Sequence, residues 1–185
     1  MKLIELDKSK KIRFSFEDAP ELVLHDYKTL ETFFIANANE LIGERSLVLE
    51  LMISANSSYY ALLGAKYFPI AGHKDLHIEV RYTEDNVEKY ENTLAYSNNT
   101  VFKGLPSEYV ETVIKTVIDY CRANETPNGK IIFNSAAHCE VGSSPLIFRI
   151  ATKAVLRILL SKQYPVQDID VEAICKECLL ERFKV

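Results

Sequence analysis

Residues 107–160 hold the pattern that most restricts how this chain can fold, two apolar stripes at helical spacing with a buried strand between them. Val110, Val113, Ile114, Val117, Ile118 and Cys121 recur three and four positions apart, while Glu108, Glu111, Lys115 and Asp119 fall on the other side. That is a helix with one core-facing stripe and one solvated face, and Ser107 is placed to cap it. The turn-forming residues 124–129, which include Pro127 and Gly129, end it. Residues 130–135 then read as a buried strand, and Gly142, Ser143, Ser144 and Pro145 open a second helix that is apolar around most of its circumference from Leu146 to Leu160. A helix of that kind needs cover on several sides, so the pattern predicts a layered α/β (α+β) domain with this helix at its centre.

The rest of the chain is weaker in signal. Residues 2–6 and 12–16 alternate around a polar turn and predict a hairpin. Leu30, Phe33, Phe34, Ala38, Leu41 and Ile42, followed by Gly43, predict a helix over 27–42. Residues 47–53 and 76–82 predict strands. Between them, 56–72 predicts irregular structure around a short strand at 66–70, because Gly64, Pro69 and Gly72 interrupt it. Residues 85–99 predict a turn and then a strand near 92–97. The tail from 166 predicts a short strand or loop and an amphipathic helix, with Val171, Ile174, Cys175, Cys178, Leu179 and Phe183 on one face. These elements divide into an N-terminal hairpin and helix (1–45), a core (46–164) and a C-terminal helical tail (165–185).

With 185 residues the chain is long enough for one substantial core. Its formal charge of -4 gives no global attraction to phosphate, so nucleic-acid contact requires a local patch. No apolar run approaches the roughly 18–20 residues of a membrane span. The N-terminus is charged where a signal peptide is apolar, so the expected location is cytoplasmic with no membrane partner. Four cysteines, Cys121, Cys139, Cys175 and Cys178, are too scattered for a secreted disulfide framework. Cys175 and Cys178 have the spacing of half a zinc site, but no second pair follows, and buried thiols are expected instead of a metal or a cofactor.

Three strings carry a family resemblance. Gly72 and His73 lead into the strand with Ile78 and Tyr82; the run from Phe102 through Gly104, Pro106, Glu108 and Tyr109 to Val110 enters the first helix; and the run from Glu140 through Ser143, Ser144 and Pro145 to Ala151 enters the second. In this order, over residues 70–162, they resemble the fourth, or tip, domain of elongation factor G and its ribosome-protection and translocase relatives. The resemblance implies a four-stranded sheet with two helices on one face and a left-handed βαβ crossover, as in the ribosomal protein domain-2-like fold. Two positions depart from the family pattern. The stretch 63–72 is bulkier and more apolar than the family's glycine-rich loop, and Cys139 stands where the family has a histidine, with His138 one residue earlier. The chain also lacks a glycine-rich phosphate loop ending in lysine and serine, which excludes GTP hydrolysis by this chain on sequence grounds.

Two segments carry the site expectations. Arg149, Lys153 and Arg157 recur every fourth residue on the second helix and project from one face, where they either track a phosphate backbone or simply solvate that face. His138, Cys139, Glu140, Ser143 and Ser144 collect an imidazole, a thiol, a carboxylate and two hydroxyls just before a helix N-terminus, where capping by Ser143 or Ser144 competes with partner contact. Tyr59, Tyr60, Tyr67 and Phe68 predict an aromatic loop, so Tyr67, Phe68 and His73 join the contact candidates. His73 and His77 lie about 13 Å apart on an extended strand, too far to share a metal. No grouping of nucleophile, base and orienting residue stands out, so the expected activity is non-catalytic. It is docking on RNA or a ribonucleoprotein such as the ribosome, or, alternatively, protein contact and self-association through the apolar stretch 63–70.

Overall fold

A computed structural model describes residues 1–17, 19, 22, 26–38, 41–54, 58–84, 88–96 and 99–181. Among these the strands are β1 (Lys2–Asp7), β2 (Lys10–Ser15), β3 (Lys28–Ile35), β4 (Arg45–Ser54), β5 (Ser58–Phe68), β6 (Asp75–Tyr82), β7 (Val101–Lys103) and β8 (Gly129–Cys139). The helices are α1 (Ser107–Ala123), α2 (Pro145–Leu159) and α3 (Asp168–Leu180). All strands join one sheet in the order β1-β2-β4-β5-β8-β6-β3, with β7 also on β8. Among these strands only β6 and β8 run parallel, and α1 lies in the connection between them, which makes a βαβ unit.

Period-two alternation divides the sheet into two faces. On one, Leu47, Leu49, Leu51 and Ile53 of β4, Ala61, Leu63, Ala65 and Tyr67 of β5, and Leu76, Ile78 and Val80 of β6 join the helices in one buried cluster. Here α2 packs on β4 and β5, α1 packs on β6 and β3, and α3 closes over α2. On the other face, Val48, Met52, Tyr60, Leu62, Ala137 and Cys139 form a smaller cluster with Leu22, Tyr90 and Val101. The hairpin, α1, β8, α2 and α3 stand where the sequence predicts them, and Val171, Cys175, Cys178 and Leu179 are buried on the inner face of α3. Phe183 lies outside the described residues.

Several expectations are corrected. The sheet has eight strands, because the hairpin β1–β2 extends one edge beyond β4 and β3 extends the other beyond β6. The strands of the N-terminal segment, β1, β2 and β3, therefore lie within the sheet at its two edges. Residues 28–35 are a strand, although their apolar residues also fit helical spacing. Thr29, Thr32 and Ile35 are β-branched and Phe33 and Phe34 aromatic, types that suit a pleated surface, and pairing with β6 decides the matter. Residues 58–68 form one long central strand. Gly64 does not break it; a Cβ there would come within 2.9 Å of the Val48 side chain and 3.0 Å of Ser135, so the glycine permits close approach between strands. Opposite this point the pairing slips by one residue, Gly64 facing Ser135 and Ala65 facing Phe133, which leaves Asn134 as a bulge. No strand forms among the described residues of 92–97. Pro106, not Ser107, occupies the cap position of α1.

Instead of a strand, residues 88–96 make a strap across the second face, and a buried carboxylate holds it. Glu50 on β4 is fully buried and pairs with Arg13, whose Nε donates at 2.7 Å. It also accepts from the Tyr60 hydroxyl at 2.8 Å, the Thr93 hydroxyl at 3.0 Å and the Leu94 backbone N–H at 2.7 Å. Arg13 continues to the Asn92 side chain at 2.8 Å. Burial and the adjacent Glu50 charge push the Tyr60 phenol well above its ordinary value. A buried charge is tolerable only when surrounded by donors, and here the donors come from three separate segments. Glu50→Ala leaves Arg13, Tyr60 and Thr93 without their acceptor and is expected to lower stability by about 3–5 kcal/mol in denaturant unfolding. Surface substitutions such as Lys176→Ala should stay within about 0.5 kcal/mol.

Candidate functional site

The structure spreads the predicted site residues over three places. On α2, Arg149 is exposed and has no acidic partner among the described residues. Lys153 donates to Glu181 at 2.8 Å, and Arg157 pairs with Glu177 at 2.5 Å and reaches the Cys178 sulfur at 3.8 Å. The face that spacing alone marks as cationic is thus largely covered by α3. Burial raises the Cys178 thiol, and the Arg157 charge only partly offsets that.

His138 and Cys139 end β8 and are both buried. The His138 ring stacks on Phe102 with centroids 5.9 Å apart, and its Nδ1 lies 3.1 Å from the Gly104 carbonyl. Burial holds the imidazole below its ordinary value and the Cys139 thiol above its own. Ser143 Oγ accepts from the Cys139 N–H at 2.9 Å and donates to the Tyr60 carbonyl at 2.7 Å, tying the loop to β5. Ser144 occupies the N-cap position of α2, but its hydroxyl makes no cap hydrogen bond, so neither serine caps the helix through its side chain. Only Glu140 of this group is exposed.

The expected aromatic loop is the strand β5. Tyr67 is fully buried, donates to the Asn128 carbonyl at 2.6 Å and accepts from the Leu41 N–H at 3.2 Å. Its side chain is not available to a partner, and the stretch 63–68 is paired along both edges, between β4 and β8, with Lys66 and Phe68 partly exposed on the second face. His73 is exposed and lines an open groove of about 570 Å³ together with Ile35, Ala36 and Asn128. Since β6 runs parallel to β8 with Leu76 opposite Gly129, His73 sits at the start of β8, whereas His138 and Cys139 end it and Glu140 to Ser144 follow. About 30 Å of strand separates them. The two groups of contact candidates therefore lie at opposite ends of β8.

The surface that sequence reading missed is the part of the second face the strap leaves open. Registers place Phe33, His77, Lys130 and Phe68 in one row across β3, β6, β8 and β5, and Glu31, Glu79, Ile132 and Lys66 in the next. Phe33 and Ile35 are 72% and 74% exposed. Between them and the strap, Glu79 accepts from Arg81 at 2.7 Å and pairs with Lys130 at 2.6 Å. Burial draws the Glu79 carboxyl upward, but these two cations together outweigh it and hold the group below its ordinary value. Arg81 also lies over the Tyr27 ring, 4.5 Å from its centroid. The alternation of Leu30, Thr32 and Phe34 against Thr29, Glu31, Phe33 and Ile35 was the available signal for this face, masked by the competing helical spacing.

Among the described residues no cluster of three or more His, Cys, Asp or Glu side chains is placed to hold a metal ion. Among the described residues no helix is long and apolar enough to cross a membrane. Comparison with protein-family models, with curated proteins and with solved structures gives no significant match for this chain.

His138 supplies a pH test. Its folded imidazole resists protonation, whereas the unfolded one takes up a proton below its ordinary value of 6.5. Stability from this group is therefore complete above that value and declines as pH falls below it, until the folded ring also protonates. Thermal unfolding between pH 7.5 and 5 should show this decline, and His138→Gln should flatten it.

Proposed function

We propose that this chain is a binding module without catalytic chemistry, and that it docks a protein partner on the open part of its sheet around β3. The observation that carries the reading is the exposure of Phe33 and Ile35 on an eight-residue edge strand. Apolar side chains standing together at an unpaired edge are what natural sheets avoid unless something pairs with them. Inward of Phe33 and Ile35, His77 and the Glu79, Arg81 and Lys130 network supply a fixed polar border, beyond which Ile132 and Phe68 are partly exposed. Replacing Phe33 with a photo-reactive phenylalanine in the native cell should give a discrete protein adduct. The same residue at Ile169, which is 70% exposed on α3, should give none. Equal labelling at both positions, or none at Phe33, overturns the reading.

Docking on RNA or a ribonucleoprotein is the second reading, and Arg149 favours it as the exposed member of the α2 series. The inner strands β4-β5-β8-β6 with α1 and α2 on one face agree with the scaffold of an elongation factor G tip domain, which supports ancestry with that family and its left-handed crossover as a proposal. With Lys153 and Arg157 held by Glu181 and Glu177, the RNA reading predicts a weak salt dependence, a log–log slope of about -1. Filter binding to ribosomal RNA across a salt series measures this slope. Arg149→Glu should abolish the binding, and undiminished binding by that variant removes the reading.

A further inference from the structure

The open edge of β3 has a hydrogen-bonding pattern that can be read from its pairing with β6. The Ala36 N–H donates to the Lys74 carbonyl at 3.0 Å, and Ala36 and Lys74 continue the register that places Phe34 opposite Leu76 and Lys28 opposite Tyr82. In an antiparallel ladder, residues that exchange both hydrogen bonds with the neighbour alternate with residues whose N–H and C=O point away. The even-numbered residues of β3 therefore face β6. Thr29, Glu31, Phe33 and Ile35 turn their backbone groups to the open edge. Beyond them the edge closes, because the Asn37 and Ala38 N–H groups donate to the Thr126 carbonyl at 3.1 Å.

Four outward residues make a run symmetric about Thr32. We propose that the partner on this surface is a second copy of the chain, its β3 antiparallel to the first and centred on Thr32, an assignment that rests on the docking surface described above. In that register Thr29 exchanges hydrogen bonds with Ile35 of the other copy and Glu31 with its Phe33, so every outward N–H and C=O of both strands is paired. A slip toward Phe33 sets Thr29 against Asn37, whose N–H is already engaged. A slip the other way sets the two Glu31 carboxylates directly opposite each other, which is repulsive. The same register lays Leu30, 43% exposed, against Phe34 of the copy, and sets Ile35 against Thr29, so exposed apolar residues gain cross-strand neighbours. A strand of different sequence could use the same edge, but only a copy of β3 is guaranteed to match both its length and its symmetry.

Pairing of one eight-residue edge buries less than the roughly 1,600 Å² of a standard interface, so the dissociation constant should be on the order of 10–100 µM. Sedimentation of the purified chain should show dimers forming over this range. Thr32 meets its own copy at a non-hydrogen-bonded position, where Cα separations suit a disulfide. Mild oxidation of Thr32→Cys should thus give a covalent dimer. Leu30→Cys mixed with Phe34→Cys should also link, while either alone should not. The native cysteines are buried and contribute little background. Glu31→Pro removes an N–H that faces only the partner, leaves the β3–β6 ladder intact and should weaken dimerisation about tenfold or more with little change in thermal unfolding. A chain that stays monomeric to about 1 mM, well above the expected range, overturns the second-copy assignment. So does equal self-linking of Leu30→Cys and Thr32→Cys. If the chain is monomeric but the Phe33 photo-adduct has a mass other than twice that of the chain, the docking surface stands and only the self-pairing falls.

Discussion

Strand β8 is paired along both edges, covered along one face and covered on the other toward its C-terminal end, and the rest of the architecture follows from that. Its edges take β5 on one side and β6 with β7 on the other. A strand so enclosed cannot leave backbone groups unpaired or apolar side chains wet without a cost of several kcal/mol. The helices meet this requirement on one face, where Ile131 and Phe133 point into the main core. On the other face Ala137 and Cys139 need cover as well, and the short strap 88–96 provides it only toward the C-terminal end of β8. The N-terminal end, with Lys130 and Ile132, remains open to solvent beside β6 and β3.

The division between covered and open sheet is set by a polar contact. Apolar packing of Tyr90, Leu94 and Ala95 is non-directional and would tolerate many seatings of the strap. Glu50 selects one, because its oxygens accept at the same time from Arg13, Tyr60, Thr93 and the Leu94 N–H. The Glu79, Arg81 and Lys130 group plays a comparable part on the open side, where charges keep the inner strands solvated while apolar exposure concentrates at the β3 edge. The same sheet face is therefore sealed at one end and presented at the other.

Charge on α2 shows why spacing alone does not define a binding face. Arg149, Lys153 and Arg157 share one side of the helix, as their period requires. Whether that side meets solvent, RNA or protein depends on where the tail folds, and α3 brings Glu177 and Glu181 against two of the three. The loop of His138 and Cys139 looks chemical in sequence because reactive groups adjoin. In the fold both side chains turn inward and serve packing, with the imidazole stacked on Phe102.

What the sequence determined by itself were the elements whose signal is local and unopposed. The alternation of 76–82, the hairpin around its polar turn, and the stripes of α1, α2 and α3 each specify one periodicity, and each formed as read. Where two periodicities coexist the sequence could not decide. Leu30, Phe33 and Phe34 fit a helix as well as a strand, and only the free edge of β6 makes the strand the lower in energy. Gly64 reads as a breaker until Val48 and Ser135 are placed against it. Tertiary structure alone fixed the strand order, the buried Glu50 pin and the open edge of β3. All three depend on contacts between residues far apart in the chain, and nothing in a local pattern records which distant backbone will arrive to pair with it.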